Sequence, residues 1–226
     1  MGCKCGNQNL DKDTEYKPEV IYSNKNDNIN FNTIESDIYK KQEEYMKKYS
    51  DYPSEIVYII NKIRQNPNDY AEIIEDSIKN IIEEENESDP DKPKIIYKNE
   101  IKVALTRGEP AFREAAEELR NMSPIPPLEF KEEICIPLPD NEEQIKDANY
   151  LKEKVREILS RNEHINAFFK EMVKIPKVSA LLMIVDDSGK SAGKKRKVVL
   201  NKNFKYIGVS YKFIGKTFIS YFSFSK

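Results

Sequence analysis

Apolar positions in the first three quarters of this chain recur mostly at spacings of three and four. Ile56, Ile59, Ile60 and Ile63 predict a helix starting near Pro53-Ser54, with Ser54 as its cap. Asn66-Pro67 interrupts that helix and starts a second, with Asn66 as cap and Pro67 in the first helical position. Its apolar face continues through Tyr70, Ile73, Ile74, Ile78, Ile81 and Ile82. Gly108-Glu109-Pro110 opens a third, carrying Phe112, Ala115, Ala116 and Leu119 on one side. A fourth starts at Asp140 and Glu143 and runs through Ile145, Ala148, Leu151, Val155 and Ile158. Ile165, Phe168, Phe169, Met172 and Val173 fit a fifth, ended by Pro176; Val178, Leu181, Leu182 and Val185 give the last.

The final quarter follows a different rule. The run Leu181 to Val185 stops at Asp186-Asp187-Ser188-Gly189, and a basic loop follows from Lys190 to Lys197. Tyr206 to Tyr211 and Phe218 to Phe224 are rich in aromatic and β-branched residues, with Gly215 in the short connection, and read as a hairpin. Ile207, Val209 and Tyr211 alternate, as do Phe218, Ser220, Phe222 and Phe224, so one face of each strand should meet the helices. Gly208 then belongs where a strand passes close to packed neighbours. Between the helices, Ser123 to Phe130 is held extended by its prolines. Helices bracketing an antiparallel hairpin predict an α+β fold.

Composition narrows the class. The 226 residues suffice for one domain and an appendage. Charged residues make up 34%, but the net charge is only -2, so bulk charge gives no reason to expect nucleic acid as a partner. No apolar run reaches the roughly 18 residues of a membrane span, and no secretory signal is evident. Two of the three cysteines crowd at Cys3 and Cys5, which fits a reducing, cytoplasmic setting better than a disulfide framework. The polar stretch 1–50 reads as an N-terminal arm, with little periodicity before Tyr39 to Tyr49, and 51–226 reads as the domain. Glu83 to Lys94 reads as a solvated acidic loop, without the spacing or glycine of an EF-hand.

The arm starts Met1-Gly2-Cys3-Lys4-Cys5-Gly6. Gly2 is placed for myristoylation, and Cys3 and Cys5 for palmitate; two chains anchor where one binds only marginally. The stretch resembles the dual-acylation signal of the Src-type kinases, with Gly6 in place of their Ser or Thr. The alternative is a plain terminus with an accidental Cys-x-Cys.

Catalytic chemistry finds little to stand on. His164 is the one histidine, and it precedes an apolar face as a helix-start residue would. Gly189-Lys190-Ser191 and Gly215-Lys216-Thr217 both end like a phosphate loop, but Ile184 and Ser210 stand where the earlier glycine is required. The basic cluster Lys190, Lys194, Lys195, Arg196 and Lys197 reads as a solvated loop, a nuclear-import patch, or a contact for anionic lipid or an acidic protein tail. Near an anionic membrane each such charge contributes roughly 1 kcal/mol.

Three segments, in order, carry a family resemblance. Ile59 to Pro67 contains an Asn-x-x-Arg, Pro126-Pro127-Leu128-Glu129-Phe130 follows, and Val185-Asp186-Asp187 leads to Asn203-Phe204-Lys205-Tyr206-Ile207-Gly208. Together they resemble the CAP superfamily of cysteine-rich secretory, antigen 5 and pathogenesis-related 1 proteins, from about Ser54 to Lys226. The resemblance implies an α-β-α sandwich with a mostly antiparallel central sheet. It also implies a cleft where two His and two Glu bind a divalent metal in many members. In this chain Lys194, or with a one-residue shift Lys195, falls where the family has a His, and an ammonium has no lone pair to offer a metal. Glu163-His164-Ile165 matches the family's Glu-Asn-Ile, which places Glu163 in the cleft. The expectation is a degenerate, non-enzymatic module without catalytic residues, metal or other cofactor. It would bind protein partners or an anionic membrane surface in the cytoplasm, anchored by its acyl chains as the resemblance to lipidated, Golgi-associated members implies. The alternatives are a structural subunit of a cytoskeletal or ciliary assembly, with the arm threading along partners, and a residual hydrolase.

Overall fold

The computed structural model describes residues 51–226, apart from 88, 90–92, 148, 161–163, 190 and 191. The first helix, α1, spans Tyr52–Gln65. Its cap is Asp51 rather than Ser54: the Asp51 carboxylate accepts from the Ser54 N–H at 3.0 Å and from the Ser54 hydroxyl at 2.6 Å. Pro53 in the first turn needs no hydrogen-bond acceptor for its nitrogen, so the helix starts a residue or two earlier than its apolar stripe. Pro67 likewise opens α2, Pro67–Ser77.

There the helical reading breaks down. The chain passes through one 3-10 turn into β1, Ile81–Glu84, which pairs with β2, Lys94–Lys98, and through it with β3, Lys102–Leu105. Ile73 is 51% exposed, so the isoleucines from 73 to 82 do not share one buried face. Beyond this small antiparallel sheet come α3, Glu109–Arg120, and the short β4, Glu129–Phe130. The expected fourth helix is two, α4 at Glu142–Lys146 and α5 at Tyr150–Leu159, and Asn141 rather than Asp140 caps the first.

The expected fifth helix is a strand, β5, Ala167–Glu171. Its partner decides the matter, for it zips antiparallel along β7 with Phe169 opposite Phe222 and Glu171 opposite Ser220. Pro176 then starts α6, Pro176–Val185, instead of ending a helix before it. The basic loop contains a short helix, α7, Lys194–Val199. The hairpin forms as expected, β6 at Tyr206–Ile214 and β7 at Thr217–Ser225, around a left-handed Gly215.

The main sheet runs β4-β6-β7-β5, so the hairpin occupies its middle; β4 lies parallel to β6 and the other pairs are antiparallel. Alternation assigns its two faces. Ile207, Val209, Phe218, Phe222 and Phe224 pack with α1, α2, α3 and α6, joined by Phe204 and by half-buried Phe130. On the other face Ile214, Ile219 and Tyr221 pack against Ile136 and against Tyr150, Val155 and Ile158 of α5. The fold is α+β, in helix–sheet–helix layers. Gly208 sits where the strand has no room for a side chain: a Cβ there would lie 2.6 Å from Ser223 Oγ and 2.9 Å from the Cys135 nitrogen.

Candidate functional site

The proline-rich segment before β4 presents carbonyls without a matching set of N–H groups, because Pro124, Pro126 and Pro127 have none. Two fully buried polar residues of α1 answer it. Asn61 Nδ2 donates to the Leu128 carbonyl at 2.8 Å, while Asn61 Oδ1 accepts from the Leu128 N–H at 2.7 Å, as a neighbouring strand would. Arg64, three residues on, donates from Nε to the Pro126 carbonyl at 2.8 Å. Its Nη1 reaches the Val199 carbonyl at 2.6 Å and that of Asn201 at 3.2 Å, and its Nη2 reaches that of Phe204 at 3.3 Å. One guanidinium thereby ties α1, the proline segment and the α7–β6 connection together. Burial draws its pKa down to about 10, which leaves it cationic at neutral pH.

The paired aspartates form the second part. Asp186, 2% exposed and left-handed at φ 43, ends α6. Its Oδ2 accepts the Lys195 N–H at 2.7 Å, which caps α7, and its Oδ1 accepts the Ser188 hydroxyl at 2.7 Å. Asp187 accepts the Arg107 N–H at 2.8 Å and also the Thr106 N–H. Arg196 completes the joint. Its Nη1 donates to the Ile184 and Val185 carbonyls at 2.9 and 3.0 Å, a cation at a helix C-terminus where the dipole favours one. Its Nε meets Glu118 and its Nη2 meets Glu114, each at 2.6 Å. Hydrogen bonds from Arg107 and then Arg196 hold the Glu114 carboxyl below its ordinary range.

The third part is an ion pair at the end of β5. Glu171 points to the helical face, and its Oε1 lies 2.5 Å from Lys195 Nζ, which also stands 5.9 Å from the centre of the Phe169 ring. Burial raises the Glu171 carboxyl; Lys195 opposes the rise and the nearby charge of Asp186 adds to it. Behind it lies a knot of hydroxyls. Tyr52 Oη sits 3.0 Å from Ser179 Oγ, 3.2 Å from the Val173 carbonyl and 3.4 Å from Ser220 Oγ. Burial pushes the Tyr52 phenol up to about 12, so it stays protonated. Ser179 and Ser220 have no solvent exposure, and a nucleophile sealed in this way meets no substrate. The ammonium of Lys195 has no lone pair for a metal or a proton.

The structure thus divides the basic stretch that the sequence presents as one cluster. Arg196 is buried in the joint, Lys195 reaches inward to Glu171, and Lys194 and Lys197 are exposed on α7. Lys195, not Lys194, is the residue that enters the site. His164 is exposed on the connection before β5, beyond the end of the strand opposite to Glu171; Ala167 and Glu171 are four residue steps apart, about 13 Å at roughly 3.3 Å each. Glu163, Lys190, Gly2, Cys3 and Cys5 lie outside the described residues. Glu171, Tyr52 and Ser179 escape the sequence reading; for Glu171 the cause is the helical spacing through 165–173, which hides the alternation that puts it on the same face as Phe169. Cys135 hydrogen-bonds the Val209 carbonyl, and burial pushes its thiol up to about 11, away from reactive thiolate.

Among the described residues no group of three or more His, Cys, Asp or Glu is placed to hold a metal ion, and no helix is long and apolar enough to cross a membrane. No family model matches the chain, and neither the curated proteins nor the solved structures hold a match to it.

Proposed function

We propose that this chain is a degenerate CAP-like domain that works as a non-enzymatic binding or scaffolding module, tethered through its N-terminus to an intracellular surface. The observation that carries the reading is the Lys195–Glu171 ion pair, 2.5 Å between Nζ and Oε1. The resemblance calls for a metal-ligating histidine near this point, and the chain instead has Lys195, an ammonium already paired with a carboxylate. The Asn-x-x-Arg and Pro-x-Leu segments of the resemblance lend support, since Asn61 binds Leu128 and Arg64 binds the Pro126 carbonyl. Residues that meet across the fold to build its frame are those a family would share when its chemistry has gone. The tether rests on Gly2, Cys3 and Cys5 alone.

Intact-mass measurement on protein from its native cell tests the tether, together with fractionation of a Gly2→Ala variant. One or more acyl adducts, and loss of the variant from the membrane fraction, are expected. An unmodified N-terminus, with equal distribution of the two proteins, contradicts the tether and leaves a free-standing module.

A further inference from the structure

The main sheet is open along most of one edge. β4 is the edge neighbour of β6, yet it pairs with only Tyr206 and Ile207 of that nine-residue strand, and among the described residues no other strand takes up that side. Past β4 the chain leaves the edge for the α5 face of the sheet. Ile134 and Cys135 lie over Gly208, each with a backbone atom 2.9 Å from where its Cβ would be, and the Ile136 carbonyl accepts from the Ser210 hydroxyl at 2.7 Å. Alternation along the strand then decides which backbone groups are left over. The Ile207 carbonyl points outward to the Lys131 N–H at 2.9 Å, and the Val209 carbonyl points outward to Cys135 Sγ at 3.6 Å. Tyr211 and Phe213 continue that outward series, while Ser210, Lys212 and Ile214 turn their backbone groups to β7. Tyr211 is 39% exposed and Phe213 56%, with Lys212 exposed between them, so this edge lies open to solvent.

Free N–H and C=O groups between exposed aromatic side chains are a template for another strand. The strand itself supplies the match. About a two-fold axis through Lys212, an antiparallel second copy sets Tyr211 opposite the partner's Phe213 and Phe213 opposite the partner's Tyr211. Both are hydrogen-bonded pairs, since both residues turn their backbone to the seam, and each puts one aromatic ring across from another on the helical face. Lys212 meets the partner's Lys212 on the other face, but each ammonium already has an acid of its own chain, with Nζ 3.1 Å from Asp140 Oδ1. We propose that β6 pairs edge to edge with β6 of a second copy, antiparallel about Lys212, so that two four-stranded sheets become one continuous sheet. The seam is short beside the roughly 1,200–2,000 Å² of a standing interface, so the association is reversible and follows concentration. The inference stands apart from the tether and holds whether or not the N-terminus is acylated.

Sedimentation velocity on the full chain across a concentration series tests it, with Phe213→Pro beside the natural sequence. Proline there removes one outward N–H and leaves the β6–β7 ladder whole. The natural chain is expected to pass from monomer to dimer as concentration rises, and Phe213→Pro to raise the dissociation constant by about tenfold or more. Hydrogen exchange on the natural chain, dilute and concentrated, is the second arm, and it decides the matter even where the proline variant fails to fold. The amides of Tyr211 and Phe213 should exchange freely when dilute and gain protection when concentrated, while those of β7 stay protected in both. A chain that remains monomeric throughout overturns the proposal, as does a dimer that Phe213→Pro leaves unchanged. Protection of the Tyr211 and Phe213 amides in the dilute monomer also overturns it, since a segment of the same chain then closes the edge.

Discussion

At the scale of single residues, the frame depends on two buried cations with different partners. Arg64 serves four backbone carbonyls from two distant stretches of chain. Arg64→Met keeps the stem and removes every donor, leaving those carbonyls dry; an unsatisfied buried acceptor costs about 1–3 kcal/mol. A loss on the order of 3–5 kcal/mol is expected in urea unfolding, large beside the ~5–15 kcal/mol that holds a domain together. Arg64→Lys should recover little, because one ammonium cannot reach a fork's worth of acceptors. Glu171 sets a pH dependence of definite sign. Its folded pKa is raised, so between the unfolded value, about 4.3, and the folded one the native state binds the extra proton. Its contribution to stability therefore falls as pH rises through that window and is level above it. Urea midpoints of the natural chain and of Glu171→Gln, measured from acid to neutral pH, should converge at the acid end and separate as pH rises, with the variant missing that decline. Parallel curves contradict the assignment. In the sequence Asn61 and Arg64 are marked by the Asn-x-x-Arg of the resemblance, whereas Glu171 is one acid among 39 acidic residues.

At the scale of elements, legibility follows how much of an element's apolar pattern the fold uses. The hairpin is read correctly because nearly all of its alternating positions in β7 are buried on one face or the other. Around β5 the positions Ile165, Phe168, Phe169, Met172 and Val173 match a helix template, yet Phe168 is 37% and Met172 51% exposed. Their spacing is that of an edge strand's surface and flanks, and the pairing that fixes them lies about 50 residues away in β7. The same holds for Ile81 and Ile82, whose partners Tyr97 and Ile96 no local window contains. The two readings of β5 predict opposite outcomes. Phe222→Ala, in the buried middle of the sheet, should cost about 3–5 kcal/mol, and Phe168→Ala should stay below about 1 kcal/mol. Denaturation showing Phe168 to be as costly as Phe222 restores the helix.

At the scale of the whole molecule, the helical layer and the sheet edge meet at the short stretch from Asp186 to Lys197. Asp187 holds the connection before α3, Arg196 holds α3 itself, and Lys195 holds β5, so the loop that joins α6 to the hairpin also joins the helical layer to the sheet edge. A sequence shows its second half, from Lys190 to Lys197, as a basic block, because the acids that turn Lys195 and Arg196 inward, at 171, 114 and 118, are far off along the chain. The central claim is that a protein cation, rather than a metal, satisfies the Glu171 carboxylate. Elemental analysis of the full chain, loaded with zinc and then dialysed, tests it most directly, with Glu171→Gln beside it. The account predicts far less than one zinc per chain in both. One zinc per natural chain, lost in Glu171→Gln, would contradict it.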